Sequence, residues 1–280
     1  MVAYTAWKLK CGDREFAFDK PAIMGVLNVT PDSFSGDGIY LSSDDAVARA
    51  RQMVADGADM IDVGGESTRP GSEPISLTEE LRRVISVVEA LVSEFAVPIS
   101  IDTTKPEVAA VCLKLGAHML NGISGLRDQR MRAVAAKYNA PVVIMHMQGT
   151  PASMQINPMY DEVVSEIADY LHHRARLATR EGIYQIIIDP GIGFGKTTEH
   201  NLLILRHLAR FKELGYPLLV GPSRKGFIGA LTGRDPGDRL SGTLAAVTAC
   251  VLNGADIIRV HDVKACKDAM LVAHAIRSAE

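Results

Sequence analysis

Cysteine is scarce in this chain, and what there is lacks pattern. Cys11, Cys112, Cys250 and Cys266 form no CxxC pair and no metal-type spacing, which argues against a disulfide scaffold or a structural zinc site. They read as reduced or buried thiols, and a reducing compartment is expected. Aromatic residues make up only 5%, too few for a broad base-stacking platform. Neither sign of charge dominates: the net charge is -3, which speaks against a general nucleic-acid or membrane surface. No apolar run approaches the roughly 20 residues of a membrane span. The amino terminus MVAYTAWKLK has no apolar signal core, so the cytoplasm is the expected location. No tandem repeat, linker or low-complexity stretch divides residues 1–280, and one domain is expected.

What is present is a core-sized apolar content, 47%, distributed in short runs. These begin at Ala22, Met60, Pro98, His118, Pro141, Gln185, Pro217 and Asp256. Their near-continuous hydrophobicity suits parallel strands covered on the outside by helices. Between them, Ser43-Asp44-Asp45 caps a helix closed by Gly57, and helical spacing runs over 77–95, 106–115, 128–138, 161–180, 201–214, 241–253 and 264–278. Eight strand–helix units with right-handed crossovers close into a (β/α)8 TIM barrel, an α/β fold. Residues 1–20 read as a short β-hairpin about Cys11-Gly12-Asp13 that covers the barrel bottom, with the barrel proper over 21–280. The rival is a doubly wound sheet. Polar residues at the carboxyl ends of the runs favour the barrel: Asn28, Asp62, Asp102, Asn121, His146, Asp189, Ser223, Arg259 and His261. In a barrel all these ends share one mouth, whereas a doubly wound sheet gathers fewer of them at a switch point.

Gly191-Ile192-Gly193-Phe194-Gly195-Lys196-Thr197 looks like a nucleotide phosphate loop but is one residue short, since glycine would have to replace Pro190. It reads instead as backbone that can pass close to a flat ligand. Taken singly, the other residues have plain readings. Asp102 could cap the next helix, Asp189-Pro190-Gly191 could be a turn, Lys225 and Arg259 could be surface charges, and His146 reads as structural.

Four loops narrow the field: Asn28-Val29-Thr30-Pro31-Asp32-Ser33-Phe34-Ser35, Gly65-Glu66-Ser67-Thr68-Arg69-Pro70-Gly71, Asp189 to Lys196, and Gly221-Pro222-Ser223-Arg224-Lys225. Together with Asp102, Asn121 and Arg259-Val260-His261, they resemble the dihydropteroate synthase family over roughly Ile23 to His261. One departure is SGDG after Phe34, where the family more usually has S-D-G-G; it touches the shape of the loop.

The resemblance implies the joining of 4-aminobenzoate to a pterin carried as its methyl diphosphate, with Mg2+ as cofactor. It assigns the pterin to Asp102, Asn121, Asp189, Lys225 and Arg259, a donor–acceptor set that suits a pterin edge. It assigns 4-aminobenzoate to Thr68, Pro70, Phe194, Ser223 and Lys225, and mobile loops to Asp32, Phe34 and Arg69. Asn28 is the implied Mg2+ ligand, and Asn28, Arg259 and His261 the diphosphate site. Catalysis falls to Asp102, Asp189, Lys225, Arg259 and His261. A homodimer through the later helices and sensitivity to sulfonamides are further expectations. Two rivals share the pterin carboxylates: a corrinoid methyltransferase using methyltetrahydrofolate, and a pterin-binding protein without turnover. The first has no reason to carry the TRPG and SRK loops, and the retained Asn28, Asp189, Lys225 and Arg259 weigh against the second.

Overall fold

The computed structural model describes residues 4–30, 43–67 and 71–279. Strands β1 (Trp7–Cys11) and β2 (Arg14–Phe18) pair antiparallel as a hairpin. Eight parallel strands then follow: β3 (Ala22–Asn28), β4 (Met60–Gly64), β5 (Ile99–Asp102), β6 (Met119–Asn121), β7 (Val142–Met145), β8 (Ile186–Asp189), β9 (Leu219–Val220) and β10 (Ile257–Val260). Each falls within a run anticipated from hydrophobicity. They are ordered β8-β7-β6-β5-β4-β3-β10-β9, and a parallel bridge from Ile188 to Leu218 joins the two ends, so the sheet closes on itself. The doubly wound alternative is excluded.

The helices are α1 (Ser43–Ala55), α2 (Leu77–Glu94), α3 (Pro106–Lys114), α4 (Gln129–Lys137), α5 (Val163–Arg180), α6 (Thr198–Arg206), α7 (Leu208–Lys212), α8 (Gly226–Thr232), α9 (Leu240–Leu252) and α10 (Val263–Ser278). Their apolar faces pack on the outside of the barrel. Val84, Val87, Val88 and Leu91 of α2, for example, are all buried, as an amphipathic helix requires. Three details differ from the sequence expectation. The predicted 201–214 helix starts earlier, where the Thr197 hydroxyl accepts the His200 N–H in a capping box. It also breaks at His207 into α6 and α7. The short α8 is absent from the sequence reading, because a glycine-rich seven-residue segment shows too little periodicity to register.

Inside the barrel, side chains point inward at every second position. The lower layer is apolar: Met24, Met60, Met119, Val143, Ile187, Leu219 and Ile257 pack with Leu9, Cys11 and Phe18 of the hairpin. The hairpin therefore plugs the bottom. Arg14 fastens it, its guanidinium donating to the Ala96 carbonyl at 3.0 Å and lying 3.0 Å from the His118 ring. The upper layer, two residues further along the same strands, is the mouth.

Candidate active site

The same two-residue period that buries Met60, Met119, Ile187 and Ile257 puts Asp62, Asn121, Asp189 and Arg259 one step higher, at the carboxyl ends of their strands. Arg259 is the hub. Its Nε donates to Asp62 Oδ2 at 2.7 Å and its Nη2 to Asp102 Oδ2 at 2.8 Å. Asn121 Nδ2 donates to the same Asp62 oxygen at 2.9 Å. Asp62 is fully buried, and among the described residues its other oxygen has no hydrogen-bond partner. Burial raises the Asp102 carboxyl above the usual range, with Arg259 opposing and Asp62 and Glu80 reinforcing the rise. Asn28, half-buried at the tip of β3, lies beside this group: both its amide oxygen and Asp102 approach the bare Gly64 backbone.

Across the mouth, Asp189 ends β8. Its Oδ1 accepts the Gly191 N–H at 2.7 Å. Burial lifts its carboxyl to about 6, against the pull of that hydrogen bond and of Lys225, Lys196 and Arg259. Gly191 has φ +72, and a Cβ there would collide with the His146 carbonyl oxygen, so only glycine lets the loop hug β7. Phe194, farther along this loop, presents its ring to the Lys225 ammonium, 4.0 Å from the ring centroid, a cation–π contact. Burial first and Arg259 second push Lys225 down to about 8, while Asp189 and Asp102 pull the other way.

The Ser223-Arg224-Lys225 turn is held under strain. Arg224 has φ +57, the left-handed region, and a bidentate pair with Asp262 at 2.9 and 2.5 Å clamps it there. Ser223 Oγ accepts the His261 backbone N–H at 3.3 Å and lies 3.0 Å from His261 Nδ1. The Oγ–Nδ1 pair holds the ring in place, and which of the two donates follows the ring tautomer. Burial, with Arg259, Arg224 and Lys225 nearby, pushes His261 down to about 3, so the ring is neutral at ordinary pH.

The structure thus gathers Asn28, Asp102, Asn121, Asp189, Phe194, Ser223, Lys225, Arg259 and His261 at one end of the barrel. Asp32, Phe34, Thr68, Arg69 and Pro70 lie outside the described residues. Sequence reasoning places Asp62 and His146 at strand ends but gives neither a role at the site. The period-2 spacing from Met60 is the available signal for Asp62. Lys196 has no signal of its own beyond the phosphate-loop lookalike; it is buried, its Nζ lies 3.1 Å from His146 Nδ1, and it donates to the Phe194 carbonyl at 2.9 Å. Chemically, the mouth offers carboxylate and amide acceptors, a lysine donor and an arginine plane on one side, with a neutral imidazole at its rim.

Comparisons with known proteins agree with this geometry. Residues 24–261 match the pterin binding enzyme family. The chain is 48% identical to the dihydropteroate synthase of Escherichia coli K12 over 262 residues, 93% of each chain. It superposes on the Yersinia pestis dihydropteroate synthase in complex with a sulfonamide drug with a TM-score of 0.93 at 42% identity, covering 98% of this chain and 100% of that one. The Xanthomonas albilineans dihydropteroate synthase with 4-aminobenzoic acid gives a TM-score of 0.92 at 44% identity, covering 99% and 100%.

Proposed function

The chain belongs to the pterin binding enzyme family, and from that premise we propose that it catalyses the dihydropteroate synthase reaction of folate biosynthesis. The substrates are 6-hydroxymethyl-7,8-dihydropterin diphosphate and 4-aminobenzoate; the products are 7,8-dihydropteroate and diphosphate. The observation that carries this reading is the convergence of Asp102, Asn121, Asp189, Lys225 and Arg259 on one mouth.

The pterin lies among these five. Asp189 and Asn121 take the aminopyrimidine edge, Asp102 the ring nitrogens, Lys225 the carbonyl side, and the Arg259 guanidinium lies against the ring face. The pairs from Arg259 to Asp62 and Asp102 support that placement, because they fix the plane of the guanidinium before any ligand arrives. 4-Aminobenzoate lies next to it, against Phe194, Lys225 and the backbone at Ser223; the further residues that the resemblance assigns to the arylamine and the loops, Thr68, Pro70, Asp32, Phe34 and Arg69, lie outside the described residues.

The arylamine nitrogen attacks the exocyclic CH2 of the pterin, and the bond from that carbon to the diphosphate oxygen breaks. The amine is neutral at pH 7, so no strong general base is required to start the attack, and the proton shed once the N–C bond has formed passes to water or to the departing diphosphate. Positive charge developing on the pterin is stabilised by Asp102 and Asp189. The departing anion meets Arg259 and an N–H of the His261 ring, and the neutrality of His261 makes it a hydrogen-bond donor rather than a second cation.

Mg2+ suits the donors at hand. Asn28 offers a hard amide oxygen, and substrate phosphates and water would complete the shell. When bound, it neutralises charge on the diphosphate. The reading extends to a homodimer through α6, α8 and α9. Its support is an apolar groove of about 500 Å3 between these helices, lined by Leu202, Leu205, Phe227, Ile228, Leu231 and Ala246. Four free, buried cysteines suit the cytoplasm.

Diphosphate release with both substrates and Mg2+ is the test. Release that requires 4-aminobenzoate, and that a sulfonamide inhibits competitively, is expected. Absence of release with saturating substrates sinks the reading in favour of a pterin-binding protein without turnover.

A further inference from the structure

Lys196 is buried, 3% exposed, and among the described residues no carboxylate comes within ion-pair distance of it; burial pushes its ammonium down to about 7, against the pull of Asp189. Burying an ammonium without a direct counter-ion is costly, so its position calls for a physical reason. Its Nζ makes three contacts: the Phe194 carbonyl at 2.9 Å, the His146 carbonyl at 3.3 Å and His146 Nδ1 at 3.1 Å. Burial and nearby Lys196 and Arg127 hold the His146 ring neutral, so Nδ1 can act as the acceptor. The ammonium therefore ties the loop after β8 to the end of β7. His146 is anchored in turn: its backbone N–H donates to the Asp189 carbonyl at 3.0 Å, and its ring meets Tyr170 edge-on.

The tethered carbonyl belongs to Phe194, whose ring receives the Lys225 ammonium. A Cβ on neighbouring Gly193 would come within 2.9 Å of Lys225 Cδ, so the loop backbone touches the lysine stem as well. The loop is also tied by Gln155 to the Gly193 carbonyl, by Tyr160 to the Gly195 carbonyl and by the Gly193 N–H donating to Asn201 Oδ1, all 2.7 Å, but among the described side-chain donors the Phe194 carbonyl is reached by Lys196 alone.

Resting on the synthase reading, we propose that Lys196 is a positioning residue: a buried cross-link that holds Phe194 and, through it, Lys225 in place for the arylamine. It touches neither substrate. The glycine-rich segment that imitates a phosphate loop is thus a cradle whose lysine turns inward to protein carbonyls. The Gly191-to-Asp189 bond is local and survives loss of the cross-link, so the pterin edge is affected less than the arylamine side.

The experiment compares Lys196→Met with the wild-type enzyme in steady-state diphosphate release, after circular dichroism and melting have shown that the variant folds. The KM for 4-aminobenzoate is expected to rise roughly 10-fold or more, the scale on which small misplacements act, with a much smaller change in the KM for the pterin diphosphate. In a Phe194→Leu background, Lys196→Met should add little further, because both act through one ring. Equal changes in the two KM values, no change in either, or full additivity with Phe194→Leu overturns the proposal. Should Lys196→Met not fold, Lys196→Gln, whose amide keeps N–H donors on a shorter side chain, must show a smaller rise that is still confined to the KM for 4-aminobenzoate, or the proposal fails. Turnover by the wild-type enzyme tests the synthase reading separately, so failure of one is not mistaken for failure of the other.

Discussion

At Asp189 and Lys225, burial and neighbouring charge work against each other on residues that face the same mouth. Asp189 sits at about 6 and Lys225 at about 8, so both are charged over only a narrow interval. In the proposed pterin site the carboxylate must be ionised to accept pterin N–H groups, and the ammonium must keep its proton to donate. kcat/KM is therefore expected to rise as pH passes about 6 and fall beyond about 8. Asp102, also raised, shares the acidic limb. Asp189→Asn should weaken pterin binding far more than 4-aminobenzoate binding. Loss of one charged hydrogen bond is worth about 1.5–3 kcal/mol, or at least tenfold in pterin KM. Equal losses on both substrates would contradict the edge contact. Each of these side chains can be picked out in the sequence because it follows an apolar run within a distinctive loop. Asp62 cannot be assigned a role there, because an aspartate inside a strand gains meaning only from the arginine that meets it.

Helix α8 bears Lys225 as its N-cap and exposes apolar surface on its far side. Leu231 of α8 is 60% exposed and Leu202 of α6 is 40% exposed, and both line the apolar groove. The homodimer reading puts this face against its copy. Leu231→Asp is expected to shift sedimentation at micromolar concentration from dimer toward monomer while the melting profile of the isolated chain changes little. A wild-type chain that sediments as a monomer under those conditions defeats the dimer reading. The elements themselves are mostly legible: strands by continuous hydrophobicity, long helices by period and caps. Helix α8 is not, since seven residues with two glycines offer little pattern, and its shape depends on the Arg224–Asp262 clamp and the left-handed Gly233 that ends it. The break at His207 is silent in the sequence for a similar reason, because the apolar spacing continues through it.

Across the molecule, the buried His118 and His146 and the half-buried His261 give folding a common pH dependence. His118 is pushed down to about 4, and His146 and His261 to about 3, from 6.5. His118 shows why. Burial penalises the charged ring first, and the Arg14 guanidinium, 3.0 Å from its Nε2, adds like-charge repulsion. Groups with a depressed folded pKa that are neutral when deprotonated contribute their full stability above 6.5. That stability is lost as pH falls toward 4, because the unfolded chain binds a proton that the folded ring refuses. Each such ring costs about 1.4 kcal/mol for every pH unit of that descent. Asp102 and Asp189, being raised, act with the opposite sign and offset part of the loss. Melting temperature is expected to fall between pH 6.5 and 4, and His118→Gln should flatten the slope without touching the mouth. Parallel curves for the two proteins would refute the assignment. The barrel, the polar strand ends and the family motifs can be read along the chain, because two-residue and 3.6-residue periods and turn chemistry are local properties. Which charges meet follows from the folded arrangement. Arg259 reaches Asp62 across 197 positions, and Lys196 reaches His146 across 50. Such pairings depend on how the barrel closes, and no short-range pattern in the chain encodes them.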